Sequence, residues 1–340
     1  MAAAPSGAVY AVSEGDERGF AEVRVWHDLA EIDRDLGPSV VTIGNFDGVH
    51  RGHRHVLAEA RALGDRLGVL PVVAVTFDPH PMSVIRPDKA PELLTSVGDR
   101  CALLAAAGAD AVLMLAFTPA LADMAAEEFA ESVVFDALHA AGVVVGESFR
   151  FGHRALGDVY LLRSLGARHG AEVVGLPLDG AGDRSWSSTY IRGCLAAGDV
   201  RAAAEALGRP FSLHGRVVRG EGRGRELGYP TANVPVSSSR TAVPVDGVYA
   251  GWLRRLDRPD APWWPAAISV GTNPTFGGTD RRVESYVLDR TDLELYDDLV
   301  EVVFIKHLRE MVKFDSVDAL ITQMTADVDV SRDLLVHPPE

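Results

Sequence analysis

His50 and His53 stand three residues apart with Gly52 between them, closing the run Gly44-Asn45-Phe46-Asp47-Gly48-Val49-His50-Arg51-Gly52-His53. Two imidazoles beside glycines suit an anion that needs donors and close backbone approach. Phosphate fits, because a glycine-punctuated turn entering a helix presents backbone N–H groups and the positive end of the helix dipole. Taken alone, such a pair serves helix capping or the surface more often than chemistry. With Asp47 and the glycines, the pair points to nucleotidyl transfer. The glycines follow neither the dinucleotide fingerprint G-x-G-x-x-G nor the P-loop, so those mechanisms are not supported.

Further groups lie downstream. Thr76-Phe77-Asp78-Pro79-His80-Pro81 holds Phe77 and His80 in a proline-stiffened loop. Gly146-Glu147-Ser148-Phe149-Arg150-Phe151-Gly152 sets two aromatics around an arginine, suited to stacking on a planar ring and contacting a phosphate, or to anchoring a loop in the core. Ser187-Ser188-Thr189-Tyr190-Ile191-Arg192 opens a helix. Its hydroxyls cap free N–H groups or hold a triphosphate, and Arg192 would neutralise charge on a leaving pyrophosphate.

The C-terminal part carries a different set. Gly220, Gly222, Gly224 and Gly228 give a loop able to adopt backbone angles closed to other residues, with Arg223 inside it. Pro230-Thr231-Ala232-Asn233 reads as a rigid turn offering a hydroxyl and a carboxamide oxygen, hard ligands suited to Mg²⁺. In Val283–Leu288 strand alternation sets Glu284 and Tyr286 on one face and Val283, Ser285 and Val287 on the other. An isolated strand glutamate is usually a surface residue; here it is also a general-base candidate.

The elements that must position these groups fall into two rhythms. From Val40 to Leu207 short apolar runs (Val40–Ile43, Val72–Phe77, Ala111–Leu115, Val143–Val145, Glu172–Leu176) alternate with helical stretches such as Asp99–Ala107 and Ala126–Ala141. That alternation predicts a parallel sheet with helices on both faces and ligands beyond the strands' carboxyl ends. After Pro210, runs at Arg216–Val218, Gly247–Leu253, Ala266–Val270, Val283–Leu288 and Leu299–Ile305 are separated by turn residues, predicting an antiparallel barrel. A closing helix is expected over Ser316–Met324, capped by Asp315 or Ser316.

Composition narrows the classes. A chain of 340 residues suggests two domains. The net charge of −15 argues against nucleic acid as the main partner. Cys101 and Cys194 form neither a metal-like cluster nor a disulfide framework. Met1–Phe20 lacks a basic start ahead of an apolar run, and no segment approaches the ~20 apolar residues of a membrane span, so a soluble cytoplasmic protein is expected. No heptad seam is visible, and a homo-oligomer is left open.

In chain order, Gly44–His53, Phe77–Pro81, Gly146–Gly152 and Ser187–Arg192 resemble the successive motifs of the adenylyltransferase module of bacterial bifunctional riboflavin kinase/FAD synthetases. Gly220–Asn233, Gly247–Gly251, Ser269–Thr275, Val283–Tyr286 and Lys313-Phe314-Asp315 resemble that family's kinase module. The family commonly has Asp or Asn where this chain has Ser148, and Asp or Asn where it has Glu221; Ser148 keeps a hydroxyl with a shorter reach.

The resemblance implies a Rossmann-like α/β nucleotidyltransferase domain over 1–208 and an antiparallel β-barrel riboflavin kinase domain with a C-terminal helix over 209–340. It implies phosphorylation of riboflavin to FMN and adenylyl transfer from ATP to FMN, giving FAD and pyrophosphate, with Mg²⁺ accompanying ATP and no permanently bound cofactor. Gly44, Phe46, Asp47, Gly48, His50, His53, Ser188, Thr189 and Arg192 would hold the transferred nucleotide, with His50, His53 and Arg192 catalytic. Phe77, His80, Pro81, Ser148 and Phe151 would receive the flavin. Gly220, Gly222, Arg223, Gly224, Thr231 and Asn233 would hold the kinase's ATP, Thr231 and Asn233 its metal, and Glu284 would deprotonate the ribityl 5′-hydroxyl. Two weaker readings are a kinase with an impaired transferase, motivated by Ser148, and a flavin-nucleotide storage protein.

Overall fold

In the computed structural model the described residues are 23–177, 180–181, 184–220, 224, 227–236, 240–258, 260–272 and 281–339. They form two compact units, 23–91 with 95–187, and 92–94 with 188–339.

The first unit is built on six strands: β1 Arg24–Trp26, β2 Ser39–Ile43, β3 Val72–Asp78, β4 Ala111–Ala116, β5 Ala140–Gly146 and β6 Glu172–Leu176. They pair in the order β1-β4-β3-β2-β5-β6, every pair parallel. The order reverses between β2 and β5, the crevice where doubly wound sheets bind ligands. The runs after Ile43 and after Val145 flank that point, as the sequence pattern anticipates. Helices α1 Arg51–Arg66, α2 Pro81–Ile85, α3 Val97–Ala106, α4 Pro119–Asp123, α5 Ala126–Phe129 and α6 Val159–His169 follow the strands.

Helix α1 carries the histidine motif, and its seat on the sheet is close. It buries Leu57, Ala60, Leu63 and Gly64; the two leucines contribute about 1.5–3 kcal/mol each. A Cβ at Gly142 of β5 would lie 2.7 Å from Leu63 Cδ2, and one at Gly64 would lie 2.7 Å from Leu70 O. Glycine at both positions lets helix and strand approach.

The predicted helix Ala126–Ala141 is shorter than its alanines suggest. After α5 the chain continues as a π-helix over Ala130–Ala137, closed where Leu138 N donates to Val133 O (3.2 Å), and Ala140 already pairs with Ser39 of β2. Pairing with β2 outweighs the helix propensity of Ala140 and Ala141, and Gly142 disfavours the helix in any case. Strand β1 and its pairing with β4 have no counterpart in the sequence reading.

Past the small pair β7 Gly180–Ala181 and β8 Arg184–Ser185, the second unit opens with α7 Ser188–Ala196 and α8 Val200–Leu207. Then come β9 Phe211–Arg216, β10 Thr231–Pro235, β11 Gly247–Arg255, β12 Trp264–Thr272, β13 Arg281–Val287 and β14 Leu299–Arg309. These pair antiparallel in the order β10-β13-β12-β11-β14-β9. Its two edges meet at one bridge, where Val218 N donates to Asn233 O (2.9 Å), so the sheet curls on itself. The expected strand Arg216–Val218 is mostly that bridge. The expected turn Pro230–Asn233 is instead the start of β10, because Thr231 and Asn233 pair with Tyr286 and Glu284 of β13.

The closing helix, α9 Val317–Leu334, runs ten residues beyond the expected end and is capped by Ser316, whose Oγ accepts from Ala319 N (3.1 Å). Arg309 of β14 pins it through a forked ion pair to Asp327 (2.7 Å). Among the described residues no helix is long and apolar enough to cross a membrane.

Candidate active sites

The turn after β2 is wound tightly. Phe46, Gly48 and Val49 all have positive φ (48°, 83° and 39°). Phe46 is buried, and its ring packs edge-on against His53 at 5.2 Å. Glycine at 44 leaves room for that ring, which lies 3.2 Å from where a Cβ would stand. The Asp47 carboxylate, 1% exposed, accepts from Thr95 N and Thr95 Oγ1 (3.2 Å each), and Thr95 Oγ1 accepts from Gly48 N (3.2 Å). Asp47 therefore fastens the turn to the segment leading into α3.

His50 caps α1: its Nδ1 accepts from His53 N at 3.3 Å. As an acceptor at Nδ1, the neutral ring carries its proton on Nε2. The two imidazoles stack at 3.6 Å with 21° between planes. Burial, then His50, then Arg100 of α3 hold the His53 pKa well below the ordinary histidine value, so His53 is neutral at pH 7. Its Nδ1 is buried with no partner among the described residues. A Cβ at Gly52 would come within 3.2 Å of the His50 ring and 3.5 Å of Trp186 O. Trp186 also carries Arg51 over its ring at 5.2 Å, which puts the segment just ahead of Ser188 against the start of α1.

At the end of β3, Phe77 packs edge-on against Phe117 (5.5 Å). His80, mostly buried, caps α2 by accepting from Met82 N (3.2 Å), with Pro81 as the first helical residue. In the loop after β5, Phe151 is buried between Phe129 (6.0 Å) and the stacked ring of Phe149 (5.5 Å). Ser148 is exposed, and Phe149 is the half-buried aromatic.

The second unit holds a cavity lined by Gly220, Gly224, Thr231, Asn233, Glu284 and Ser285, with Arg282 and Arg290 at its wall. Glu284 sits across from Asn233 on β10 and from Ser269 on β12. Asn233 Nδ2 donates to Thr231 O (3.1 Å) and Oγ1 (3.3 Å), holding the carboxamide and hydroxyl side by side. Gly220 passes so near that a Cβ would lie 2.7 Å from the carboxamide, and one at Gly224 would lie 2.3 Å from Tyr229 O. The Ser285 hydroxyl is buried without a partner among the described residues. Gly222 and Arg223, with Glu221, Asn273, Pro274 and Thr275 of the expected motifs, lie outside the described residues.

The family model described as FAD synthetase matches residues 32–190, and that described as riboflavin kinase matches residues 207–335. The bifunctional riboflavin kinase/FMN adenylyltransferase of Escherichia coli K12 is 36% identical over 92% of this chain and 96% of its own length. That of Pseudomonas fluorescens is 40% identical over 92% and 97%. This chain belongs to the bifunctional riboflavin kinase/FMN adenylyltransferase family. A crystal structure described as a macrolide-efflux protein from Streptococcus pneumoniae is 32% identical, covers 91% of this chain and 98% of its own, and superposes with a TM-score of 0.80.

For a member of this family, the structure gathers Gly44, Phe46, Asp47, Gly48, His50 and His53 in one loop and helix start. Gly220, Gly224, Thr231, Asn233 and Glu284 meet at one cavity. Ser188, Thr189 and Arg192 belong to the second unit, where Arg192 Nε donates to Glu92 O (2.6 Å). Thr95 and Arg100 were missed by sequence reasoning. Arg100 left a signal: it lies four residues before Leu104 on the helical stripe that also contains Cys101, an arginine in an apolar register.

Proposed function

We propose how this bifunctional transferase, a riboflavin kinase and FMN adenylyltransferase by family, divides its two reactions between its sites. Adenylyl transfer belongs to the loop between β2 and α1 and to the residues up to 208; phosphorylation belongs to the barrel from 209 onward. The match to the riboflavin kinase model, which begins at 207, lies close to that proposed boundary.

In the transferase, the stacked pair His50–His53 at the first turn of α1 carries the reading. The helix start supplies backbone donors and positive potential, and two neutral imidazoles add ring N–H donors to the ATP phosphates. The FMN phosphate oxygen attacks the α-phosphorus, and the bond to the β-phosphate oxygen breaks, releasing pyrophosphate. The attacking group comes with the substrate, so the protein's part is positioning and charge stabilisation. Ser188, Thr189 and Arg192 complete the nucleotide site; Phe77, His80, Pro81, Ser148 and Phe151 bound the flavin side.

In the kinase, the pairing of Glu284 with Asn233 across β13 and β10 carries the reading. It puts a carboxylate and two neutral oxygen ligands on one cavity wall. Glu284 takes the proton of the ribityl hydroxyl as that oxygen bonds to the γ-phosphorus and ADP departs. Thr231 Oγ1 and the Asn233 carboxamide fit Mg²⁺, which keeps waters and substrate phosphates among its ligands. When bound with ATP, Mg²⁺ neutralises charge on the β- and γ-phosphates.

Riboflavin, FMN, FAD and ATP are then the ligands of a soluble cytoplasmic enzyme without nucleic-acid or membrane partners. Incubating the purified chain with riboflavin, Mg²⁺ and ATP yields FMN and then FAD by chromatography. Absence of FMN overturns the kinase assignment, and absence of FAD from supplied FMN overturns the transferase assignment.

A further inference from the structure

Arg100 in α3 is 1% exposed and heads the fully buried side chains by volume. One of its donors is used: Nη1 donates to the Phe77 carbonyl at 2.9 Å. Nε and Nη2 are buried without a partner among the described residues. Nor does any described carboxylate pair with it. A guanidinium stays protonated in proteins, so this is a buried positive charge without a paired carboxylate among the described residues. Such a charge is costly, and any apolar side chain of similar length would relieve the cost.

Its surroundings say what relieves it instead. Phe77 is the penultimate residue of β3, next to β2 in the sheet, and Thr76 Oγ1 ties that end to the loop by donating to Asn45 O (3.0 Å). The Arg100 charge reaches His53, whose Nδ1 is likewise buried without a partner among the described residues. Nε and Nη2 form the side-on edge of the guanidinium, the edge that donates two parallel bonds to one carboxylate or phosphate.

We propose that Arg100 is a phosphate-binding residue of the adenylyltransferase site, its Nε and Nη2 donating as a fork to oxygens of one substrate phosphate. The phosphate belongs either to ATP or to FMN. The inference rests on the β2–α1 loop being the nucleotide site, and the experiment separates the two.

The test compares the full chain with Arg100→Met and Arg100→Lys. It follows melting temperature with and without pyrophosphate, KM for ATP and for FMN in adenylylation, and the rate of riboflavin phosphorylation. Arg100→Met is expected to melt at or above the wild-type temperature, to lose the upward shift that pyrophosphate or FMN gives the wild type, and to adenylylate about 100-fold more slowly. Its kinase rate stays the same. Arg100→Lys keeps the charge without the fork and recovers part of the loss.

A rise in KM for ATP alone assigns the fork to the triphosphate, and a rise for FMN alone assigns it to the flavin phosphate. The proposal is overturned if Arg100→Met melts lower while keeping its ligand shifts and both KM values within twofold, since the side chain then only holds the Phe77 carbonyl. Should Arg100→Met not fold, Arg100→Lys with both KM values unchanged overturns it equally. If His53→Ala keeps full adenylylation while Arg100→Met loses it with a raised KM, the role given to His53 fails and the phosphate role of Arg100 does not.

Discussion

The two proposed sites of this chain are made in opposite ways. In the first unit the chemistry lies beyond the ends of parallel strands, in a turn whose positive φ angles and helix start aim backbone and imidazole groups at one place. In the second unit it lies on the strands themselves, where antiparallel register brings Asn233 opposite Glu284 from positions 51 residues apart (284 − 233). A loop site depends on what fastens the loop, here Asp47 on Thr95. A register site depends on strand pairing, which the whole sheet enforces. The first should therefore be sensitive to supporting residues and to pH, the second chiefly to the reacting side chain itself.

The largest effect expected is at the register site. Glu284→Gln keeps the side chain's size and the pairing of β13, and riboflavin phosphorylation should fall by about 10²–10⁴-fold. Adenylylation of supplied FMN should persist at the wild-type rate, measured by separating FMN and FAD. Retention of the kinase rate would remove Glu284 as the base. His53→Ala is the mirror experiment and should cost adenylylation about 10²–10³-fold while phosphorylation persists. Loss of both activities in either variant would break the comparison, because it would mean that the sites do not act independently.

How much of this was legible beforehand follows the same division. The loop region was legible because Gly44–His53 is contiguous and combines glycines, Asp47 and two histidines between a strand and a helix. The antiparallel half was legible as strands and turns, yet Thr231–Asn233 reads as a turn after Pro230, because a short run with one β-branched residue has no visible period. Only β13 alongside makes it a strand. Thr95 and Arg100 were hidden for another reason. Each acts through a partner distant in sequence, Thr95 through Asp47 and Arg100 through Phe77, and such pairings follow from sheet order. The same holds for the early end of the helix at Ala137, which pairing of Ala140 with Ser39 decides.

The fastening of the loop gives the next prediction. Thr95→Val preserves shape but removes one donor to the buried Asp47 carboxylate and the acceptor of Gly48 N–H, costing about 1–3 kcal/mol. The KM for ATP in adenylylation should rise more than kcat falls, with the kinase parameters unmoved. Equal losses in kcat alone would instead make Thr95 part of the reacting geometry.

The pH dependence separates the sites further. His53 in the folded chain has a pKa well below the ordinary value of about 6.5 that it recovers on unfolding. As pH falls below about 6.5 the unfolded chain binds that proton first, so the folded state loses stability until the folded pKa is passed. Urea midpoints between pH 8 and 5 should therefore fall less for His53→Gln than for the wild type. Parallel curves for the two proteins would mean that burial, His50 and Arg100 do not act on His53 as the geometry indicates.

The smallest effect concerns Ser148, the departure from the family's usual Asp or Asn. Its loop is held by Phe151 in the core, by Phe149 stacked on it, and by Phe149 N donating to Gly146 O (2.9 Å), while Ser148 itself is exposed. Ser148→Asn thus leaves the loop's supports alone and should change stability by no more than about 0.5 kcal/mol. If the side chain faces the flavin, the longer carboxamide gains one hydrogen bond, about 0.5–1.5 kcal/mol, and the KM for FMN falls about 2- to 10-fold. An unchanged KM would place the flavin out of reach of position 148, and the half-buried Phe149 would then be the residue by which this loop meets its ligand. Either result separates the loop's supports from its contacts, a distinction that the register site, where Asn233 is both strand partner and proposed ligand, does not allow.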